Sequence, residues 1–418
     1  MNINLIKMLG TKDGLVGATV FLLPFLSLVT LWGVSVCSFV FFLAALYHFR
    51  ASRSALARHW HAIGAVVAAF ALYAAFSIAM LALHPGAGSG SIEKPLRMLL
   101  ATSALALVLV FKPDRRYLWW GVAGGAVLGA LLVGLERFAL GVDRPGGLLN
   151  AITAGDLLLL YGLLGLAGAI DTRGSSASVW LGAGAVAGFA GSLITGTRGS
   201  WAALAVAAIV FVLYAHGMRG ARVRVLVGAS FALVIASYFV PQSGVRQRVE
   251  QGVADVTTYY DGGSAYTNIG IRLELWKGAL MLIAERPLLG INLPGAKREM
   301  ARLVGQGRLD AVVLPAEHFH NDALHVLVMG GVGGLLAWLS TLAAPLVFFA
   351  RVLRTQGRTQ WRNDAFGVAL AGMLVVLSYF AFGLTEVIFW SNKASLLYAL
   401  TVFILMGMCL NAKEIDAK

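Results

Sequence analysis

The stretch HFHNDALHVLVMGG, His318–Gly331, decides how this chain is read. Upstream lies polar sequence with Pro315 and Glu317, and downstream an apolar run long enough to cross a bilayer. Three of the eight histidines, His318, His320 and His325, fall where one passes into the other. A water-exposed segment therefore enters lipid here, carrying imidazoles. They fit three roles: metal ligands, an interface feature, or one catalytic base with bystanders.

The rest of the chain is built for lipid. Of its 418 residues 59% are hydrophobic and 13% charged, against about 25% charged in a soluble domain. Mean hydropathy is +0.79. Glycine, at 49 residues, suits helices that pack closely in a membrane. Cys37 and Cys409 sit far apart in apolar runs, which predicts buried thiols and no disulfide framework or zinc site. The net charge of +13 is spread over short loops between apolar runs, which argues against a nucleic-acid partner. No cleavable signal peptide is evident, and the first apolar run reads as a retained helix.

A span needs about 20 mainly apolar residues. Twelve candidates are expected, at 14–32, 33–49, 62–83, 96–111, 117–135, 151–170, 176–195, 201–217, 225–241, 323–348, 366–384 and 392–410. With twelve, the arginine- and lysine-bearing loops at 50–58, 112–116, 171–174, 218–224 and 351–362 share one side, which the positive-inside rule makes cytoplasmic together with both termini. The expected fold is an all-α, single transmembrane domain over residues 1–418. An external, periplasmic segment at 242–322 lies between the ninth and tenth spans. That segment carries nine basic and nine acidic residues, so orientation bias does not explain it. Ile271, Leu275, Ala279 and Leu282 recur at helical spacing within it, and Pro287 and Gly290 end the pattern. An ordered external segment of this length usually carries function.

Outer-side charges that sit beside the apolar spans form a smaller set. Arg198, in the tight connection TGTRGSW, sits where the positive-inside rule disfavours it; it either snorkels to headgroups or meets an anion. Arg272 is either an amphipathic-helix arginine or part of the same anion site. Planar guanidinium donors grip two oxygens at once, so converging arginines suit a lipid-linked pyrophosphate. Among the histidines, His318 and His320 point to different faces of a helix, and His320 and His325 align poorly. No HExxH pattern occurs, so a metal site is not expected. A neutral imidazole near pH 7 accepts a proton from a hydroxyl, which makes one of them a candidate general base; the alternative is an interfacial histidine beside a helix cap.

The motifs together resemble the O-antigen ligase family. HNDALHVLVMGGVGG is similar to its signature through His320, Asn321, Gly331 and Gly334; RLELWKGALMLIAERPLLG through Arg272, Trp276, Pro287 and Gly290; and TGTRGSWAAL through Arg198. DRPGGLLNAI matches more weakly, through Arg144, Gly147 and Asn150. The resemblance runs from about residue 140 to 345. It implies a GT-C-type glycosyltransferase of the bacterial inner membrane, acting at the periplasmic face. The implied donor is a glycan on undecaprenyl pyrophosphate, and the implied acceptor is a sugar hydroxyl of the lipid A core. Inverting transfer would need neither metal nor nucleotide cofactor. His320 would be the base, with Arg198 and Arg272 holding the pyrophosphate. Arg144, Lys277 and Asn321 are further substrate-binding candidates, although helix capping accounts equally well for Asn321. O-antigen polymerases and protein-directed oligosaccharyltransferases share this outline. A lipid-linked glycan transporter is the alternative from another class; the scarcity of polar residues inside the spans speaks against it.

Overall fold

The computed structural model describes residues 14–83, 90–197, 199–215, 221–240, 245–356 and 365–416. Among these there is no β-strand, and seventeen α-helices follow one another. The first seven are α1 Gly14–Ser27, α2 Gly33–Tyr47, α3 Phe49–Arg58, α4 Trp60–Leu83, α5 Gly90–Leu100, α6 Thr102–Phe111 and α7 Arg116–Phe138. Next come α8 Ala151–Asp171, α9 Ala177–Ile194, α10 Ser200–Leu213 and α11 Ala221–Phe239. The external segment supplies α12 Val245–Tyr260, α13 Gly270–Glu285 and α14 Leu293–Gly305. Helices α15 Asp322–Gln356, α16 Phe366–Phe382 and α17 Asn392–Asp416 follow.

The expected twelve spans are not found. Among the described residues seven helical stretches are long and apolar enough to cross a membrane, or eight if α2 and α3 count as one span bent by 94°. The seven are α4, the stretch Ile92–Phe111 formed by α5 and α6, α7, α8, α9, α15 and α17. Apolar runs in the sequence overcounted because composition does not report where a helix stops. Helices α1, α10 and α16 are apolar but have 14, 14 and 17 residues, short of the roughly 20 that a bilayer core requires. The protein is a multi-pass, all-α membrane protein with fewer complete spans than its hydropathy suggests.

Helix α8 runs through the interior and marks its two ends. Gly162 on α8 and Gly188 on α9 let the backbones meet: a Cβ at Gly188 would lie 2.6 Å from the Gly162 nitrogen, the close approach that small residues permit in lipid. At the C-terminal end of α8, Asp171 accepts from Arg115 (3.0 Å) and from the Trp119 indole (2.9 Å), and packs against Gly367 at the start of α16. This end carries the basic loop of residues 112–116. At the other end, α16 finishes with Gly383 against Asp322, the first residue of α15. Helix α17 is enclosed from Ala394 to Ala412; Tyr398 donates to the Thr341 carbonyl (2.8 Å) and Asn411 to the Val108 carbonyl (2.8 Å).

The external segment has its own small core, with Leu275, Ala279 and Leu282 of α13 packed with Met300 and Leu303 of α14. It is fastened to the bundle by backbone. Helix α15 breaks at Gly331, at φ 60° and ψ −160°. The break parts the Val328 carbonyl from the Val332 N–H, which a continuous helix would pair. The chain after α13 serves both groups: Ile291 N–H donates to the Val328 carbonyl (2.7 Å), and Val332 N–H donates to the Pro287 carbonyl (2.8 Å). No side chain fits between. A Cβ at Gly331 would lie 2.2 Å from the Leu288 carbonyl carbon, and one at Gly290 would lie 2.4 Å from the Val328 oxygen.

Gly331→Ala must therefore both strain a left-handed residue and push the loop away. We expect a loss of at least about 2 kcal/mol, seen as a lower thermal unfolding midpoint in detergent. Val332→Ala, which changes no backbone contact, should leave that midpoint nearly unchanged.

Candidate functional site

The polar segment before α15 is clamped from two directions. From α13, the Trp276 indole N–H donates to the Phe319 carbonyl (2.9 Å). From the turn after α16, the Leu384 carbonyl accepts from the Asn321 side-chain amide (3.0 Å), and the Gly383 carbonyl accepts from Asp322 N–H (2.8 Å). The Asn321 side-chain oxygen meanwhile accepts from Leu324 N–H (3.0 Å), which caps the first turn of α15. Between these clamps His320 adopts φ 48°, a left-handed conformation that costs a non-glycine residue of order 1 kcal/mol and gathers at functional sites.

That twist brings His318 and His320 to one carboxylate. Their rings meet edge to face, with centroids 4.4 Å apart. Glu386, only 5% exposed, lies 3.0 Å from His320 Nδ1 through Oε2 and 3.3 Å from His318 Nε2 through Oε1. The contacts assign the tautomers. His318 Nδ1 accepts from His320 N–H (3.4 Å), so a neutral His318 carries its proton on Nε2, the nitrogen that faces Glu386. His320 donates from Nδ1 to the same carboxylate, which leaves the Nε2 lone pair free to accept a proton.

The electrostatics follow from burial. Desolvation alone would raise the pKa of Glu386; the hydrogen bond and charge of His320, the charge of His318 and Val387 N–H outweigh it and hold the carboxyl below its ordinary range. Burial pushes His318 down, against the pull of Glu386. Arg272 places Nη2 3.9 Å from Glu386 Oε2. Burial lowers this guanidinium from its usual range against the pull of Glu386, with the like charge of Arg144 adding to the shift and Asp156 opposing it. Two arginines thus face one region, one of them poorly hydrated, which favours an anion between them.

The fold brings together His320, Asn321 and Arg272, with Arg144 close enough to act on Arg272. Lys277 is engaged elsewhere: it pairs with the buried Glu274 (3.1 Å), which also accepts from the Tyr259 hydroxyl and from Asp310 N–H (2.9 Å). Arg198 lies outside the described residues; its neighbour Gly199 packs against Thr385, next to Glu386. His325 faces away, beside Trp390 at 5.5 Å, and lines a cavity of about 520 Å³ with Lys94, Asp322 and Trp390. Two acids had no role in the sequence reading. Glu386 is a lone charge in the apolar stretch GLTEVIFW. Asp156 is buried near the start of α8, and neither of its carboxylate oxygens has a hydrogen-bond partner.

Spans and site together define a multi-pass membrane protein with an imidazole–carboxylate–guanidinium centre at one end of its helices. Residues 183–339 match the model of the O-antigen ligase family, Wzy_C. The GT-C type expected from the sequence is thereby corrected, since the family matched is Wzy_C. The chain is also similar to an uncharacterized protein of Haemophilus influenzae, at 20% identity over 315 residues, 74% of this chain and 78% of the relative.

Because Glu386 is depressed when folded, its contribution is complete above the ordinary carboxylate value of 4.5 and fades as pH falls through the lower folded value. Glu386→Gln should lower the thermal midpoint at pH 7, and its deficit against the native protein should shrink only below about pH 4.5. A deficit that closes between pH 5 and 7 would contradict this assignment.

Proposed function

We propose that the protein transfers a glycan from undecaprenyl pyrophosphate to a sugar hydroxyl of the lipid A core, by inverting displacement. His320 Nε2 takes the proton of the acceptor hydroxyl as its oxygen attacks the anomeric carbon, and the bond from that carbon to the pyrophosphate breaks. Arg272, with Arg198 and Arg144, receives the charge that gathers on the departing pyrophosphate. Glu386 touches no substrate; it is a positioning residue that holds the His320 tautomer. The pyrophosphate leaves as a stable anion, so no general acid is needed, and base and arginines supply the chemistry without a metal.

The observation that carries this reading is one carboxylate shared by base and cation, with His320 and Arg272 converging on Glu386. The match of residues 183–339 to the O-antigen ligase family supports the ligase class. The site lies at the end of α8 and α16 opposite the basic loop around Arg115. By the positive-inside rule this supports a periplasmic site in the bacterial inner membrane and cytoplasmic basic loops, with both termini on the cytoplasmic side.

Purified protein given lipid-linked glycan should label lipid A core; lengthened donor glycan would indicate a polymerase, glycosylated protein an oligosaccharyltransferase, and movement without bond formation a transporter. His320→Gln should slow transfer by about 10²–10⁴-fold with the thermal midpoint retained. Transfer at the native rate in that variant would remove His320 as the base.

A further inference from the structure

We infer that His318, His320 and Glu386 form an inhibitory site for a transition-metal ion of the zinc type. One nitrogen from each histidine and a carboxylate oxygen all lie within 4.8 Å of one another. An ion held at 2.0–2.1 Å by tetrahedral ligands needs those ligands about 3.3 Å apart. His318 Nε2 lies 3.3 Å from Oε1 and His320 Nδ1 3.0 Å from Oε2 of Glu386, so a turn of the carboxylate that presents one oxygen to both rings and a closer approach of the two ring nitrogens complete the set. The segment is already twisted to bring both imidazoles to Glu386, and Glu386 is buried and needs no new desolvation. Three protein ligands leave a fourth position for water. Two imidazoles with one carboxylate suit zinc, copper or nickel and not magnesium or calcium, which require oxygen ligands.

The site has costs that set its strength. The Arg272 guanidinium lies 3.9 Å from Glu386 Oε2, beyond hydrogen-bond length and 23% exposed, so it can swing away from an arriving cation. The long contact from His320 N–H to His318 Nδ1 is lost as well, because His318 bound through Nε2 carries its proton on Nδ1. Both costs point to micromolar rather than tighter binding.

Inhibition follows from the tautomer. An ion on His320 takes the Nδ1 lone pair, and the neutral ring then holds its proton on Nε2, the nitrogen that must be free to accept one. A bound ion therefore blocks the base without touching either substrate. This second half rests on the proposed role of His320, whereas the binding half does not.

Tag-free protein in detergent, titrated with zinc chloride in a calorimeter and with cobalt chloride as a visible-absorption probe, should bind one ion per chain. The affinity should fall at least about tenfold in His318→Gln and in Glu386→Gln, and magnesium should not bind. Transfer measured on the same samples, relative to each protein's own metal-free rate, should be inhibited by zinc, with the midpoint shifted to higher zinc by a similar factor in His318→Gln. No saturable zinc binding, or equal binding in native protein and both variants, overturns the site. Stoichiometric binding that leaves native transfer unimpeded overturns the inhibition and keeps the site.

Discussion

At Gly331 the helical pairing of Val328 with Val332 is opened, and the placement of the site beside it depends on that opening. Inside lipid a parted carbonyl and N–H cost several kcal/mol unless other groups satisfy them. The chain between Pro287 and Ile291 satisfies both, so the external segment is joined to the bundle by main chain. Main-chain pairing has a fixed register, as side-chain packing does not. Trp276 is on the helix just before this joint and His320 just before the helix it enters. The tryptophan can hold the carbonyl of Phe319 because the joint fixes both elements relative to each other.

From that fixed geometry the site obtains its polarity. Arg272 comes from the external segment, His320 from the chain entering α15, and Glu386 from the turn between α16 and α17. Three separate parts of the sequence meet at one carboxylate. Glu386 sits where two opposing demands are resolved: burial disfavours its charge, and the hydrogen bond from His320, the nearby imidazoles and Val387 N–H restore it. The same balance leaves His320 with one nitrogen committed and one available.

The sequence made some of this legible and hid the rest for identifiable reasons. Ile271, Leu275, Ala279 and Leu282 announced α13 because a helix repeats its buried face locally. Pro287, Gly290, His320, Asn321 and Gly331 were picked out by resemblance. Their physical meaning stayed hidden, because the contact between Gly290 and Gly331 joins residues forty-one positions apart. Spacing rules for metal sites treated His318 and His320 as helical neighbours; the left-handed turn at His320 defeats that assumption, and Glu386 lies 66 positions from His320. The number of spans was overread because α1, α10 and α16 are apolar without being long.

The enclosure of α17 bears on how the protein is made. Chains enter the membrane in order of synthesis, and this helix, surrounded on every side by others, emerges after all the rest that are described. The helices before it must wait around a vacant slot, and Glu386 is carried into place only six residues ahead of the helix that fills it. Until then His320 has no carboxylate to fix its ring. The His320 ring thus meets its carboxylate only as the last described helix takes its place.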